Sequence, residues 1–455
     1  MRPACPRACL VRSLCWPGGS HALPPWPGAA TEAGTKAYIT MHPGARGAVV
    51  AAAARRDPAL LGSWLAPSQT VRSTPWVWVS GVGMSAAASP PSLPGDDPPG
   101  GGADADERVV AAVLTGLAGS GAGTNLLVVD PADRGGASLA AVGDALASLR
   151  LEADPRARSP AVAGRASIPR SALILASKAG RLPVPDEGRK AVAWGRMGGG
   201  ELAGPGGRAC LHPAQCLEPI FNQTLASLNV AALDILLFDG AFEDFAPAAD
   251  AEVRLARAFA WAEGQRAAGR LGAYGVAEAG GALTARPSTS TPTPPHASLA
   301  RLVRLAVAAG GVGHGFRYVC VPAGREAWGA ATQVPDPGVV AGGPLASPPP
   351  PSSAGGWAAA VAAAAGTATA TSPLVPLTHA AAAMGVGVLL EVPGGGSPSP
   401  KPALAADARG VSAALISASR PQPEVAAVLA ALTKNRLVRG AAWAEAAGVV
   451  GSSAW

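Results

Sequence analysis

Three ionisable residues stand at the ends of apolar runs. Asp130 closes NLLVVD, Lys178 comes late in ALILASK, and Asp239 closes LDILLFD. Carboxylates and an ammonium at such positions can move protons or orient a polar substrate. General acid–base help of that kind is worth about 10²–10⁴-fold in rate. A strand-end acid can also simply cap the loop that follows it, so residue type leaves both roles open for Asp130 and Asp239. Lys178 sits in SKAG directly after a buried run, a more specific setting. Cys210, His212 and Cys216 are metal-binding residue types, but the set lacks a fourth ligand and a tight CxxC. They read as part of a loop and helix cap, and no metal is expected. Cys320 reads as a small core hydrophobe. GLAGSGAG at Gly116–Gly123 has the glycines of a phosphate loop but precedes a strand, whereas a phosphate cradle follows one and opens a helix. It reads as the Gly-rich end of a helix.

The elements that must position these residues follow from hydrophobic pattern. Thr224 to Val276 reads as helix, buried strand, helix, Gly-marked stop and second buried strand, the alternation of a parallel sheet with crossover helices. Eight short apolar runs recur: Val77–Val82, Asn125–Asp130, Ala172–Ser177, Leu233–Phe238, Gly272–Val276, Arg317–Val321, Gly387–Val392 and Ser412–Ser417. Most are rich in Val, Ile and Leu, as strands buried on both faces must be. Helical stretches are expected at Asp106–Leu117, Ser138–Leu149, Ala214–Leu228, Ala251–Gly269, Ser298–Ala309, Leu377–Met384 and Pro423–Lys434. Eight strand–helix units that close on themselves make an α/β (β/α)8 TIM barrel, with any site at the C-terminal ends of the strands. An open doubly wound sheet is the competing architecture. The absence of a nucleotide fingerprint after the first strand favours the barrel.

The chain has 455 residues, with 58 Gly, 45 Pro and 4% aromatic residues. The barrel is assigned to 75–440, with low-complexity insertions at 90–102, 287–295 and 322–373 and a C-terminal tail at 441–455. Such Pro-, Gly- and Ser-rich sequence buries too little apolar surface to offset its ordering entropy. Residues 1–74 lack sustained periodicity and are expected to be a disordered extension outside the core, with a short helix near Ala48 to Arg56. The extension's start carries Arg2, Arg7 and Arg12 before the first acid, Glu32, as organellar transit peptides do. A plastid is the expected destination, with the mitochondrion or cytoplasm as alternatives. The net charge of +6 comes without a clustered basic stripe and stacking aromatics, so no nucleic-acid partner is expected. No run of about 18 apolar residues occurs, and no membrane span is expected. Six dispersed cysteines do not make a dense disulfide framework and suit a reducing compartment.

Several of these segments resemble the aldo-keto reductase family, over about Trp76 to Lys434. LASLNVAALDILLFDG resembles "S-L-x-x-L-x-x-x-x-x-D-x-x-x-x-H", and GQRAAGRLGAYGVAE resembles "E-x-G-K-I-R-x-x-G-V-S-N". NLLVVDPAD resembles "N-x-I-D-T-A-x-x-Y-G", ALILASKAG resembles "v-x-I-x-T-K-x-G", and CLHPAQCLEPIFNQTLASL resembles the "C-x-H-P-E-x-L-x-x-Q-L-x-x-S-L" lead-in of plant and bacterial NAD(P)-linked members. The resemblance implies a barrel, an NADP(H) cofactor and reduction of a small-molecule carbonyl or sugar-like substrate. It places the family's catalytic Asp at Asp130, its Lys at Lys178 and its His at Asp239. The family's proton-donating Tyr should fall near Arg134 or Gly135, and no Tyr is there. The nicotinamide contacts fall on Ala277, Glu278 and Cys320, where the family has Ser, Asn and Gln. Ser419 and Arg420 fall where the family meets the 2′-phosphate, and Ala427-Val428 replace the adenine-contacting Glu-Asn. Two functions are carried forward. One is an NADP(H)-dependent oxidoreductase of low activity. The other is a catalytically inactive relative that binds a nucleotide or a protein partner.

Overall fold

Each buried run of Val, Ile and Leu becomes a strand whose neighbours are strands of the same kind, and together they form a ring. The computed structural model describes residues 24–41, 77, 79, 82–86, 113, 117, 124–131, 137–153, 168–180, 211–239, 248–277, 299–322, 333–335, 374–377, 381, 386–392 and 411–417. The strands are β1 (Val82–Ser85), β2 (Leu126–Val129), β3 (Ile174–Ala179), β4 (Leu233–Asp239), β5 (Leu271–Ala277), β6 (Phe316–Pro322), β7 (Gln333–Pro335), β8 (Leu374–Pro376), β9 (Gly387–Val392) and β10 (Val411–Ser417). Eight of them pair in parallel in the order β1-β10-β9-β6-β5-β4-β3-β2, and β1 pairs with both β10 and β2 to close the barrel.

The period-two alternation of a strand sorts side chains between the inside and outside of this ring. Leu126, Val128, Ile174, Ala176, Ile235, Leu237, Leu389 and Leu415 form an inward-facing cluster. Leu127, Val129, Leu175, Leu236, Phe238, Val276 and Val319 belong to a second cluster shared with the surrounding helices. Those helices include α1 (Glu32–Met41), α2 (Ala137–Ala153), α3 (Glu218–Leu228), α4 (Ala248–Ala267) and α5 (Leu299–Gly310). A π-turn over Pro213–Leu217 leads into α3, and Asn229 ends it in the left-handed conformation (φ 50°), its N–H on the carbonyls of Leu225 and Ala226. Phe238, Phe259, Tyr274 and Phe316 bind β4, β5 and β6 to α4, with ring centroids 5.0–6.1 Å apart.

Two sequence expectations change and two gain detail. The first strand is Val82–Ser85, not Val77–Val82. Val79 is buried in the inward-facing cluster with Val77 against it, so these two valines supply core side chains before the ladder begins. The expectation that residues 1–74 lie outside the core fails for 24–41. Trp26 pairs with Val230, and the Ala30 N–H donates to Asp234 Oδ1 at 2.7 Å. The Thr31 N–H donates to the Ser171 carbonyl, and the Tyr38 hydroxyl donates to that of Leu117 at 2.9 Å. These contacts lie before or at the N-terminal ends of β2, β3 and β4, so this segment seals the bottom of the barrel. The stretch written as an insertion at 322–373 contains β7, which pairs antiparallel with β8 and draws the ends of the intervening sequence together. Cys216 is disulfide-bonded, which the reading of dispersed thiols did not include. Among the described residues, no helix is long and apolar enough to cross a membrane. The helices expected at Ala48 to Arg56 and Pro423–Lys434, and nearly all of GLAGSGAG, lie outside the described residues.

Candidate functional site

Asp130, Lys178 and Asp239 all follow the inward-facing register. Each lies two residues beyond a cluster member: Val128 on β2, Ala176 on β3 and Leu237 on β4. That places them at the C-terminal mouth of the ring, where barrel enzymes assemble their chemistry. Lys178 Nζ is 3.8 Å from Asp130 Oδ2, and Asp239 acts electrostatically on the same ammonium. The three therefore converge. Ala277 and Cys320 continue the wall, since Asp239 pairs with Ala277 and Ala277 with Cys320 across adjacent strands.

The nearest partner of Lys178 was not among the sequence candidates. Lys178 Nζ donates to both carboxylate oxygens of Glu391 on β9, at 2.8 and 3.0 Å. Ser85 Oγ lies 3.5 Å from Glu391 Oε1. One signal in the sequence pointed there: Glu391 is the sole acid in the strand GVLLEV, two residues beyond inward-facing Leu389.

Burial alone would pull the Lys178 ammonium toward the neutral amine. Glu391, Asp130 and Asp239 outweigh it and hold the group charged, well above the ordinary lysine range. Lys178 is thus a fixed cation and not the free amine that a Schiff base requires. The Cys320 thiol is pushed far up by burial and by Glu391, so it stays neutral.

The described tyrosines are engaged elsewhere. The Tyr38 hydroxyl is on the Leu117 carbonyl, and the Tyr274 hydroxyl donates to Glu263 Oε1 at 2.9 Å. Tyr318 packs against the inward-facing cluster, but burial pushes its phenol up to about 12, and its charged neighbours are Arg317 and Asp234, away from the mouth.

The residues implied for a dinucleotide fit only weakly. Ala277 offers a methyl where a carboxamide needs hydrogen-bonding partners, and Cys320 offers a buried neutral thiol. Glu278, Ser419 and Arg420 lie outside the described residues. His212 and Cys216 belong to the entry of α3, with the Cys216 N–H on the His212 carbonyl at 3.0 Å. Among the described residues, no group of His, Cys, Asp or Glu is arranged to hold a metal.

Fold and site together define a (β/α)8 barrel with an ion-paired lysine at its C-terminal mouth. Among solved structures, the chain is similar to an aldo-keto reductase from Bacillus halodurans in its holo form, at 13% identity, 82% coverage of this chain, 95% of that one and a TM-score of 0.40. It is also similar to an aldo/keto reductase from Klebsiella pneumoniae in complex with NADP and acetate, at 14% identity, 80% and 90% coverage and a TM-score of 0.34. No family model matches the chain, and no curated protein matches it.

Proposed function

We propose that this chain is an aldo-keto-reductase-like oxidoreductase of low activity toward small carbonyl or sugar-like substrates, with NADP(H) as its nucleotide. The observation that carries this reading is the Asp130–Lys178 pair at the mouth of a closed parallel barrel, in segments whose wording resembles that family. Asp130 and Glu391 keep Lys178 charged and fixed. The ammonium is the one described cation in this cluster, and it keeps a third proton that a substrate oxygen can accept. Asp239 adds negative charge where the family carries a His, and it opposes a developing alkoxide. No described phenol stands beside Lys178 to donate the proton. Loss of such a donor costs about 10²–10⁴-fold in rate.

The second reading, a relative that binds without turnover, is favoured by the same missing donor and by Ala277 and Cys320 at the nicotinamide positions. Fluorescence titration with NADPH followed by turnover on a panel of aldehydes separates the two. We expect binding with turnover at least about 100-fold below that of an ordinary reductase. Binding with no turnover selects the second reading. Turnover at an ordinary rate removes the premise of the missing phenol. Plastid delivery is proposed with it, any cut falling upstream of residue 24 because residues 24–41 belong to the barrel. N-terminal sequencing of the mature protein checks the position of that cut.

A further inference from the structure

We infer that Glu391 is a positioning residue that holds the Lys178 ammonium across the barrel mouth and, with Asp130 and Asp239, restricts the pocket to substrates without negative charge. The substrate half of this inference rests on the reading of the mouth as a substrate pocket. The clamp itself does not.

The ring order makes the pairing unusual. From β3 to β9 there are four steps in either direction around the eight strands, so Lys178 and Glu391 stand on opposite walls. A lysine that only needed a counter-ion has Asp130 on the neighbouring strand's end, at 3.8 Å. Instead, its three-donor head makes two hydrogen bonds to a side chain 213 residues later in the chain. Lys178 cannot lean toward β2 or β4 without giving up both.

Exposure then orders the groups from the interior outward. The side chains of Lys178, Asp130 and Glu391 are 9%, 15% and 27% exposed. An incoming molecule meets Glu391 before the ammonium. A carboxylate reaching the remaining ammonium proton must lie beside Glu391, Asp130 and Asp239, where three carboxylates already outnumber the one cation, so it adds like-charge repulsion. An uncharged hydroxyl or carbonyl compound meets no such repulsion. Its hydroxyls can donate to the carboxylates, and its carbonyl can accept from the third ammonium proton. The chemistry selects an uncharged, hydroxyl-bearing aldehyde, ketone or polyol.

The chain has few lysines: Lys36, Lys178, Lys190, Lys401 and Lys434. The full-length protein with ¹³C-enriched lysine Cε therefore gives few signals, and that of Lys178 is assigned by its loss in Lys178→Arg. We expect the Lys178 signal to stay untitrated while exposed lysines titrate near about 10.4. We expect its midpoint to fall by at least one pH unit in Glu391→Gln and by less in Asp130→Asn. Titration of Lys178 alongside the other lysines in the unaltered protein overturns the clamp, whether or not the variants fold. Glyceraldehyde and pyruvate then serve as uncharged and anionic probes. Glyceraldehyde is expected to shift the Lys178 signal in the unaltered protein, and pyruvate only in Glu391→Gln. An equal response to both probes in the unaltered protein overturns the charge restriction. No response to either probe in either protein refutes the substrate pocket, and with it the proposed function, while the titration alone still decides the clamp.

Discussion

A methyl group has no room at Gly180. A Cβ there would lie 2.5 Å from the Asp239 carbonyl oxygen and 2.8 Å from Leu211 Cδ2, and the backbone is left-handed at φ +113°. This explains the glycine of SKAG: the chain must turn sharply two residues beyond Lys178 and pass against the end of β4. Gly180→Ala is expected to lower stability by about 1–3 kcal/mol, read from the midpoint of urea unfolding. His314 gives a pH signature. Burial, with Arg317 and Arg266, pulls its imidazole down to about 3, and its Nδ1 lies 3.3 Å from Arg317 Nη1, with the Glu263 carboxylate engaged on neighbouring Gly315 N–H. The unfolded chain takes up this proton near pH 6.5 and the folded chain only near 3, so stability falls as pH drops through that window. His314→Gln should remove a loss on the order of 2 kcal/mol between pH 6.5 and 4, measured as the pH dependence of unfolding. Asp130, Lys178 and Asp239 were legible as site residues because each ends a strand that the pattern itself marks. Glu391 carries the same strand-end signal, but no local spacing announces that its partner lies on the opposite wall. Only the closed ring brings the two together.

At the scale of elements, the N-terminal segment behaves as a bottom plate. Asp234 is buried and accepts from Arg170 Nη1 at 2.8 Å, the Leu175 N–H at 2.8 Å and the Ala30 N–H at 2.7 Å. Arg170 also donates to the Leu173 and Ala232 carbonyls. One carboxylate thus ties residues 24–41 to β3 and β4. Asp234→Asn leaves a buried guanidinium without its counter-charge and is expected to cost about 3–5 kcal/mol. Removing residues 1–41 should destabilise by a comparable amount, which calorimetry of the truncated protein checks. The plate escaped the sequence reading because its segment has no sustained helical or strand period. Its helix α1 is only ten residues long, and it is seated by contacts to sequence far downstream.

At the scale of the whole molecule, the barrel was the most legible feature. Eight Val- and Leu-rich runs buried on both faces have few arrangements open to them, and seven of the eight appear within a residue or two of the expected bounds. The sequence between β6 and β9 was harder, because its Pro- and Ser-rich composition hides the three-residue strands β7 and β8 that bracket it. Since those strands pair directly, replacing residues 336–373 by a short turn is expected to keep the fold, with a thermal midpoint within a few degrees of the parent by circular dichroism. The bottom plate bears on biosynthesis. Residues 24–41 leave the ribosome before the elements that hold them, the carboxylate that seats Ala30 lies 204 residues further on, and β1 waits still longer for β10. The nascent chain must therefore carry this piece undocked until about half of the sequence has been made, an exposed interval in which a chaperone or a protease can reach it.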